Sequence, residues 1–167
     1  MKVANLGVIR SMLLPEGWLA SRQIFAQAGN SYLLRYTPPG LSQVRLCFFY
    51  RGKLTEVDSG RALRRILQQK LHRLEPAEIE ELSEILRDQS SPELFQLEEA
   101  MTIDLNSRAV LMSHGRFVEF NFKAYSIFID SGEDGCAVQE IYFTAPPQMW
   151  DRYLPPVLNS LAAIEWQ

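Results

Sequence analysis

The spacing of apolar residues changes from a period of two to a period of about 3.6 and back, and that change divides the chain into three stretches. In the first, short apolar runs alternate with turn chemistry. Leu14-Pro15-Glu16-Gly17-Trp18 leads into a strand over 19–26, Gly29-Asn30 breaks it, and a strand over 32–36 stops at Thr37-Pro38-Pro39-Gly40. Another follows over 44–50, with Val44, Leu46, Phe48 and Tyr50 on one face. In the middle stretch, Leu63, Ile66, Leu67, Leu71 and Leu74 recur at helical spacing behind Asp58-Ser59, either of which can accept from an orphan N–H, so a helix is predicted over 60–73. Pro76, with Glu78 near the positive end of the dipole, opens a second helix whose apolar stripe is Ile79, Leu82, Ile85 and Leu86. Ser91-Pro92-Glu93 opens a third, short helix through Leu94, Phe95 and Leu97.

The strand pattern then returns. Residues 101–113 reach His114-Gly115, a dipeptide suited to a tight hairpin. Residues 117–129 come back beside them, with Val118, Phe120, Phe122, Ala124 and Phe128 toward the core and Glu119, Asn121 and Lys123 toward water. A loop over 130–135 leads to a further arm over 136–144. After Pro146-Pro147 comes a helix with Trp150, Tyr153, Leu154, Val157, Leu158 and Leu161 on one side. Pro155 and Pro156 remove N–H donors inside it, which predicts a kink or two short helices meeting near Leu154. The pattern adds up to one α+β domain over 1–167. Strands before residue 60 and over 101–144 form one mostly antiparallel sheet, 58–100 is a helical insertion, and the C-terminal helix packs on the sheet.

Composition narrows the function. A chain of 167 residues that is 47% hydrophobic and 22% charged is an ordinary globular protein that folds alone. A formal charge of −3 argues against a protein that neutralises many phosphates, so no nucleic-acid partner is expected. No window approaches the roughly 18 apolar residues of a membrane span, and the N-terminus lacks the apolar core of a secretory leader, so a cytoplasmic location is expected. Cys47 and Cys136 sit in separate strand-like runs and read as buried free thiols.

Two pieces of the chain resemble the PsbP-like superfamily. They are the early turn Leu14-Pro15-Glu16-Gly17-Trp18 and the closing strand Ile141-Tyr142-Phe143-Thr144-Ala145-Pro146, followed by a helix ending Leu158-Asn159-Ser160-Leu161. The resemblance implies an antiparallel sheet flanked by helices, and a binding or assembly protein without catalysis. The chain departs from the family in its larger helical insertion and in lacking the leader of the photosynthetic members. No functional residue carries over.

The residues themselves offer little catalytic raw material. With only His72 and His114, a histidine-dependent triad or a multi-histidine metal site is not supported, and neither GxGxxG nor GxxxxGK[ST] occurs. Asp130, Glu133 and Asp134 cluster in one loop but lack the spacing of a calcium loop. No cofactor is expected. Trp18, Trp150, Tyr153, Trp166, Tyr32 and Tyr36 are aromatic candidates for a pocket or an interface, with Trp166 expected to be partly exposed. The most distinctive feature is charge: residues 51–73 are basic and 75–99 acidic. Either two solvated faces pair across a helical hairpin, or a bipolar surface steers a protein partner. On the second reading the contact residues are Arg61, Arg64, Arg65 and Gln68 on the first helix and Glu80, Glu81 and Glu84 on the second. The leading expectation is a non-catalytic protein-interaction or assembly module; the alternative is a small-ligand-binding or hydrolytic enzyme with an unfamiliar site.

Overall fold

The computed structural model describes residues 1–25, 31–54, 56–132 and 137–167. Strands β1 (Lys2–Leu6), β2 (Ile9–Leu13), β3 (Leu19–Phe25), β4 (Ser31–Thr37) and β5 (Arg45–Lys53) come first. Helices α1 (Val57–Leu67), α2 (Pro76–Glu81) and α3 (Ser83–Leu86) follow, then a 3₁₀ turn over Arg87–Ser90. Strands β6 (Phe95–Asp104), β7 (Ala109–Phe117), β8 (Lys123–Asp130) and β9 (Ala137–Ala145) precede helix α4 (Pro147–Ala162) and a short β10 (Glu165–Trp166). Seven strands form an antiparallel sheet in the order β3-β4-β5-β9-β8-β7-β6, with β9 at its centre. The fold is α+β, as the periodicity predicts. Among the described residues no helix is long and apolar enough to cross a membrane.

Alternation along β9 sends its residues to two different environments. Gln139, Ile141, Phe143 and Ala145 face α4, which buries Trp150, Val157 and Leu161 against them. Each such buried side chain contributes about 2 kcal/mol through the area it removes from water. Val138, Glu140, Tyr142 and Thr144 face the other way. At the Val138 end that second face is covered by Ala62, Leu63 and Ile66 of α1, by Leu82, and by Ile85 and Leu86 of α3, packed on Ala100, Leu111 and Phe128. At the Thr144 end no helix among the described residues covers it, and a cleft remains.

The first two strands do not join the large sheet. They pair with β10 in a three-stranded sheet that closes the α4 side of the core. Gln139 pins this small sheet to the large one: its Oε1 accepts from the Val8 N–H at 3.1 Å and its Nε2 donates to the Leu6 carbonyl at 2.9 Å. Gly7, between them, lies at φ 58°, and a Cβ there would stand 2.3 Å from Gln139 Oε1.

Several local expectations are corrected. Helix α1 stops at Leu67, and Leu71 is 71% exposed at φ 50°, because the chain turns back so that His72 and Leu74 bond to the β6 residues Thr102 and Ala100. Its N-cap is Glu56 rather than Asp58 or Ser59. The proposed third helix reduces to one turn, in which the Ser91 carbonyl accepts from the Leu94 and Phe95 N–H groups. Phe95 and Leu97 belong to β6, paired with Phe117 and Gly115 of β7. His114-Gly115 is no turn but the middle of β7. The turn before β7 is at Asn106-Ser107, where φ values of 51° and 68° suit a two-residue primed hairpin. The turn after it runs through 118–122, leaving Val118 and Phe120 exposed instead of in the core. Helix α4 continues through Pro155 and Pro156 as one element, not two.

Candidate functional site

The cleft has a floor of about two sheet rungs. One rung reads Arg35, Cys47, Tyr142 and Ser126 across β4, β5, β9 and β8; the next reads Arg45, Thr144 and Ala124 across β5, β9 and β8. Because side chains alternate along a strand, partners on one rung share a face, so four strands from two parts of the chain, β4-β5 and β8-β9, place their polar residues together. One wall is the chain after α3, from Leu86 through Arg87 and Asp88 to Gln89. The other is Phe117, Phe120 and Phe122 around the β7–β8 turn. The cleft encloses about 570 Å³, within the range of ligand-sized sites.

Each wall is held by identifiable bonds. Gln89 is buried and clamps its segment to the sheet: Nε2 donates to Ser126 Oγ at 2.9 Å and Oε1 accepts from Ser113 Oγ, the two serines being cross-strand partners. Arg51 donates to the Ile85 and Glu84 carbonyls at 2.6 and 2.5 Å, satisfying acceptors left free at the end of α3. Arg87 donates to Glu140 Oε2 at 2.8 Å and lies over the Phe49 ring, 5.2 Å from its centroid. On the facing side, the Val118 N–H donates to the Leu94 carbonyl at 3.0 Å, which brings those two backbones together at the β7–β8 turn that carries Phe120. Leu94, Val118 and Phe120 are 43%, 55% and 67% exposed, an apolar rim near the phenylalanine wall.

Electrostatics separate the cleft's groups into spent and available charges. Burial pushes the Glu140 carboxyl above its ordinary range, while Arg87 and Arg51 pull it back. Burial likewise raises the Cys47 thiol, against hydrogen bonds from Tyr142 and Arg35 that lower it, and raises the Tyr142 phenol, with Cys47 and Glu140 adding to the shift. A buried thiol with a raised pKa is a poor nucleophile. Arg35 and Arg45 have no ion-pair partner among the described residues, and Arg35 Nε is buried without an acceptor. The arrangement can bind and orient an anion; it presents no base beside a nucleophile.

Neither histidine reaches the cleft. His72 Nε2 contacts both oxygens of Glu78, at 2.9 and 2.8 Å, and His114 lies between Glu98 and Glu99 and stacks on Tyr125. No group of three or more His, Cys, Asp or Glu that could hold a metal ion occurs among the described residues. Asp130 meets Arg64 at 3.4 Å, while Glu133, Asp134 and Cys136 lie outside the described residues.

The residues named from the charge pattern lie on the helical side. Arg65 pairs with Glu81 at 2.5 Å, Arg61 with Asp58 at 3.6 Å, and Glu84 Oε2 accepts from the Glu56 N–H at 3.0 Å. Gln68 and Glu80 are exposed. Of the aromatics, Trp18 meets Tyr153 edge-on and Trp150 packs on Phe143, both under α4. Tyr36 packs on Phe48 in the same core, and Tyr32 stacks on Tyr50. Trp166 is partly exposed, its Nε1 donating to the Leu105 carbonyl at 2.9 Å. Sequence reasoning missed Arg35, Arg45, Gln89, Glu140 and Tyr142. The available signal was polar residues inside otherwise apolar strands, Arg35 within 31–37 and Glu140 within 137–145.

No family model matches the chain, and no curated protein matches it in sequence. Solved structures do. The cyanobacterial PsbP protein CyanoP from Synechocystis sp. PCC 6803 superposes with a TM-score of 0.56 at 10% identity, over 100% of this chain and 92% of that one. LpqN of Mycobacterium tuberculosis, described as involved in cell envelope biogenesis, superposes with a TM-score of 0.52 at 12% identity, over 93% of this chain and 82% of that one. These likenesses span nearly the whole chain, and the chain therefore has the PsbP-like fold.

Proposed function

We propose that the protein is a non-catalytic interaction or assembly module whose partner-binding surface is the cleft and its apolar rim. The observation that carries this is the rim itself. Leu94 and Val118, joined by a backbone hydrogen bond, and Phe120 on the same turn as Val118 are all exposed next to a cleft with arginines unspent, whereas scattered single apolar residues would need no explanation. The PsbP-like resemblance supports the same reading, since it implies binding and assembly rather than chemistry. In this proposal the exposed charges of α1 and α2, chiefly Arg61 and Glu80, serve to steer the partner, with the exposed Gln68 amide beside them as a polar contact, while Arg65 and Glu81 clamp the two helices together.

The test is co-purification of the native protein from its own cells, compared with V118D/F120D. Both positions are exposed, so the variant should keep its unfolding midpoint within the equivalent of about 0.5 kcal/mol. A protein that accompanies the native chain should be lost from the variant. An identical set of companions would remove the rim from the binding surface.

A further inference from the structure

We infer that the cleft is a socket for an acidic side chain of a partner segment that carries an apolar residue two positions away. This deepens the interaction reading and rests on it. The cleft is lined by Arg35, Arg45 and Arg87 against Asp88 and Glu140, which leaves one positive charge. Arg87 is committed to Glu140, so the surplus resides on Arg35 and Arg45. Arg61, Arg64, Arg65 and Arg73 each meet a carboxylate of this chain, and Arg51, Arg108 and Arg116, which do not, spend donors on carbonyl or amide oxygens; among the cleft's arginines only Arg87 has a carboxylate partner. Arg45 does spend its Nε on the Ser42 carbonyl at 2.6 Å, which fixes the side chain and leaves its terminal nitrogens to a ligand. Arg35 Nε is sealed from the cleft without an acceptor and one side-chain hydrogen bond goes to Cys47, so Arg35 meets a ligand through its remaining terminal N–H groups on the cleft wall.

The remaining chemistry selects the occupant. A guanidinium fork matches a carboxylate, and the Thr144 and Tyr142 hydroxyls stand on the same rungs as Arg45 and Arg35's neighbour Cys47. A single surplus charge suits a monoanion; a phosphate dianion would face Asp88 and Glu140 with half its charge unmet. From β5, which carries Arg45, to β8, where the phenylalanine wall begins, is two strand spacings, about 10 Å. An extended segment with its acid and its ring two residues apart covers about 7 Å along the backbone, and the side chains reach the rest. The apolar rim beyond Phe120 extends past what a small molecule inside the cleft would touch, which favours a polypeptide.

The experiment titrates the ¹⁵N-labelled full chain with acetyl-Ala-Glu-Ala-Phe-Ala-amide, its Gln counterpart, sodium glutarate and inorganic phosphate, following amide and arginine Nε–H signals. The Glu peptide should shift Thr144, Ala124 and the Arg35 Nε–H saturably. The Gln peptide should bind about tenfold more weakly, and R35Q/R45Q should erase the difference while keeping a dispersed spectrum. If R35Q/R45Q does not fold, the Glu against Gln comparison on the native chain decides. Equal binding of the two peptides, or no shift in the cleft with any, overturns the acidic anchor. Glutarate or phosphate saturating the cleft as tightly as the peptide overturns the polypeptide occupant in favour of a small anion. Failure of the peptides while a companion protein still depends on Val118 and Phe120 refutes the anchor and leaves the interaction module standing. Peptide binding with no such companion does the reverse.

Discussion

The Arg87 guanidinium donates to Glu140 Oε2 at 2.8 Å, tying the turn after α3 to the central strand of the sheet. Glu140 is only 3% exposed, and Arg87 reaches it from a backbone with φ 51°, a region that a residue with a Cβ enters at a cost. The pair therefore holds a strained turn over a buried charge. Replacing Arg87 by Ala strands the carboxylate and should lower stability by about 2 kcal/mol, less than for a fully buried pair because the arginine is half exposed. In an E140Q background the same change should cost clearly less. Urea unfolding of the two single variants and the double variant measures the coupling; an unchanged R87A loss would mean that the turn, not the ion pair, carries the effect.

Gly115 lies where the Phe95 ring crosses β7. A Cβ on it would stand 2.2 Å from the Gln96 carbonyl oxygen and 2.6 Å from Phe95 Cε1. Backbone cannot yield as a flexible side chain would, so Gly115→Ala should destabilise by about 2 kcal/mol or more. Thermal or urea unfolding reads this directly. A neutral result would show that β6 can shift outward without loss.

These two sites mark how far the sequence could be read. The strands over 32–36 and 44–50 and the C-terminal helix were legible because alternation and helical spacing are local properties. His114-Gly115 looked like a turn because glycine's local preference is visible, whereas its use here, clearing space for Phe95, is a contact between strands. Phe95 and Leu97 looked helical behind Ser91-Pro92-Glu93, and pairing with β7 overrode that start signal. The candidate site was the least legible part. Arg35, Arg45 and Tyr142 meet only because β5 pairs with β9, a register that no single stretch of sequence encodes.

Glu78 sets an acid-sensitive contribution. Burial pushes its pKa up, but the Glu75 N–H, bonded at 2.8 Å, and His72 outweigh this and hold it below the ordinary glutamate value. A depressed folded-state pKa means stability that is present above the ordinary range, about 4.3, and is lost as pH falls through the lowered value. E78Q should therefore unfold at lower urea than the native chain near neutrality, and the gap should close below about pH 4. Urea midpoints across that range test it; a gap independent of pH would locate the effect in the shape of the α2 cap rather than in its charge.

The triple variant R61E/R64E/R65E separates the two roles of the basic helix. Its ion pairs with Asp58 and Glu81 are largely exposed and that with Asp130 is half-buried, so the loss in stability should be about 1 to 2 kcal/mol. Association with the companion protein should slow, and the difference should shrink as salt rises. Unfolding of the variant, with binding by its residual folded fraction unchanged, would assign these charges to holding α1 and α2 in place.

The pairing of β5 with β9 also shapes how the molecule comes together. The strands β3-β4-β5 and β6-β7-β8-β9 are two meanders, each closed by connections between neighbours in sequence, whereas Lys53 meets Ala137 only after everything between them has been laid down. Closing that long loop is the entropically expensive event, and it belongs late on the route to the native state. Arg35, Arg45 and Cys47 stand on one side of the junction, and Glu140, Tyr142 and Ser126 on the other. The cleft therefore does not exist in either half alone, and it comes into being at the moment the halves meet. Whatever occupies it bridges the junction, and by mass action holds the two meanders together against local opening.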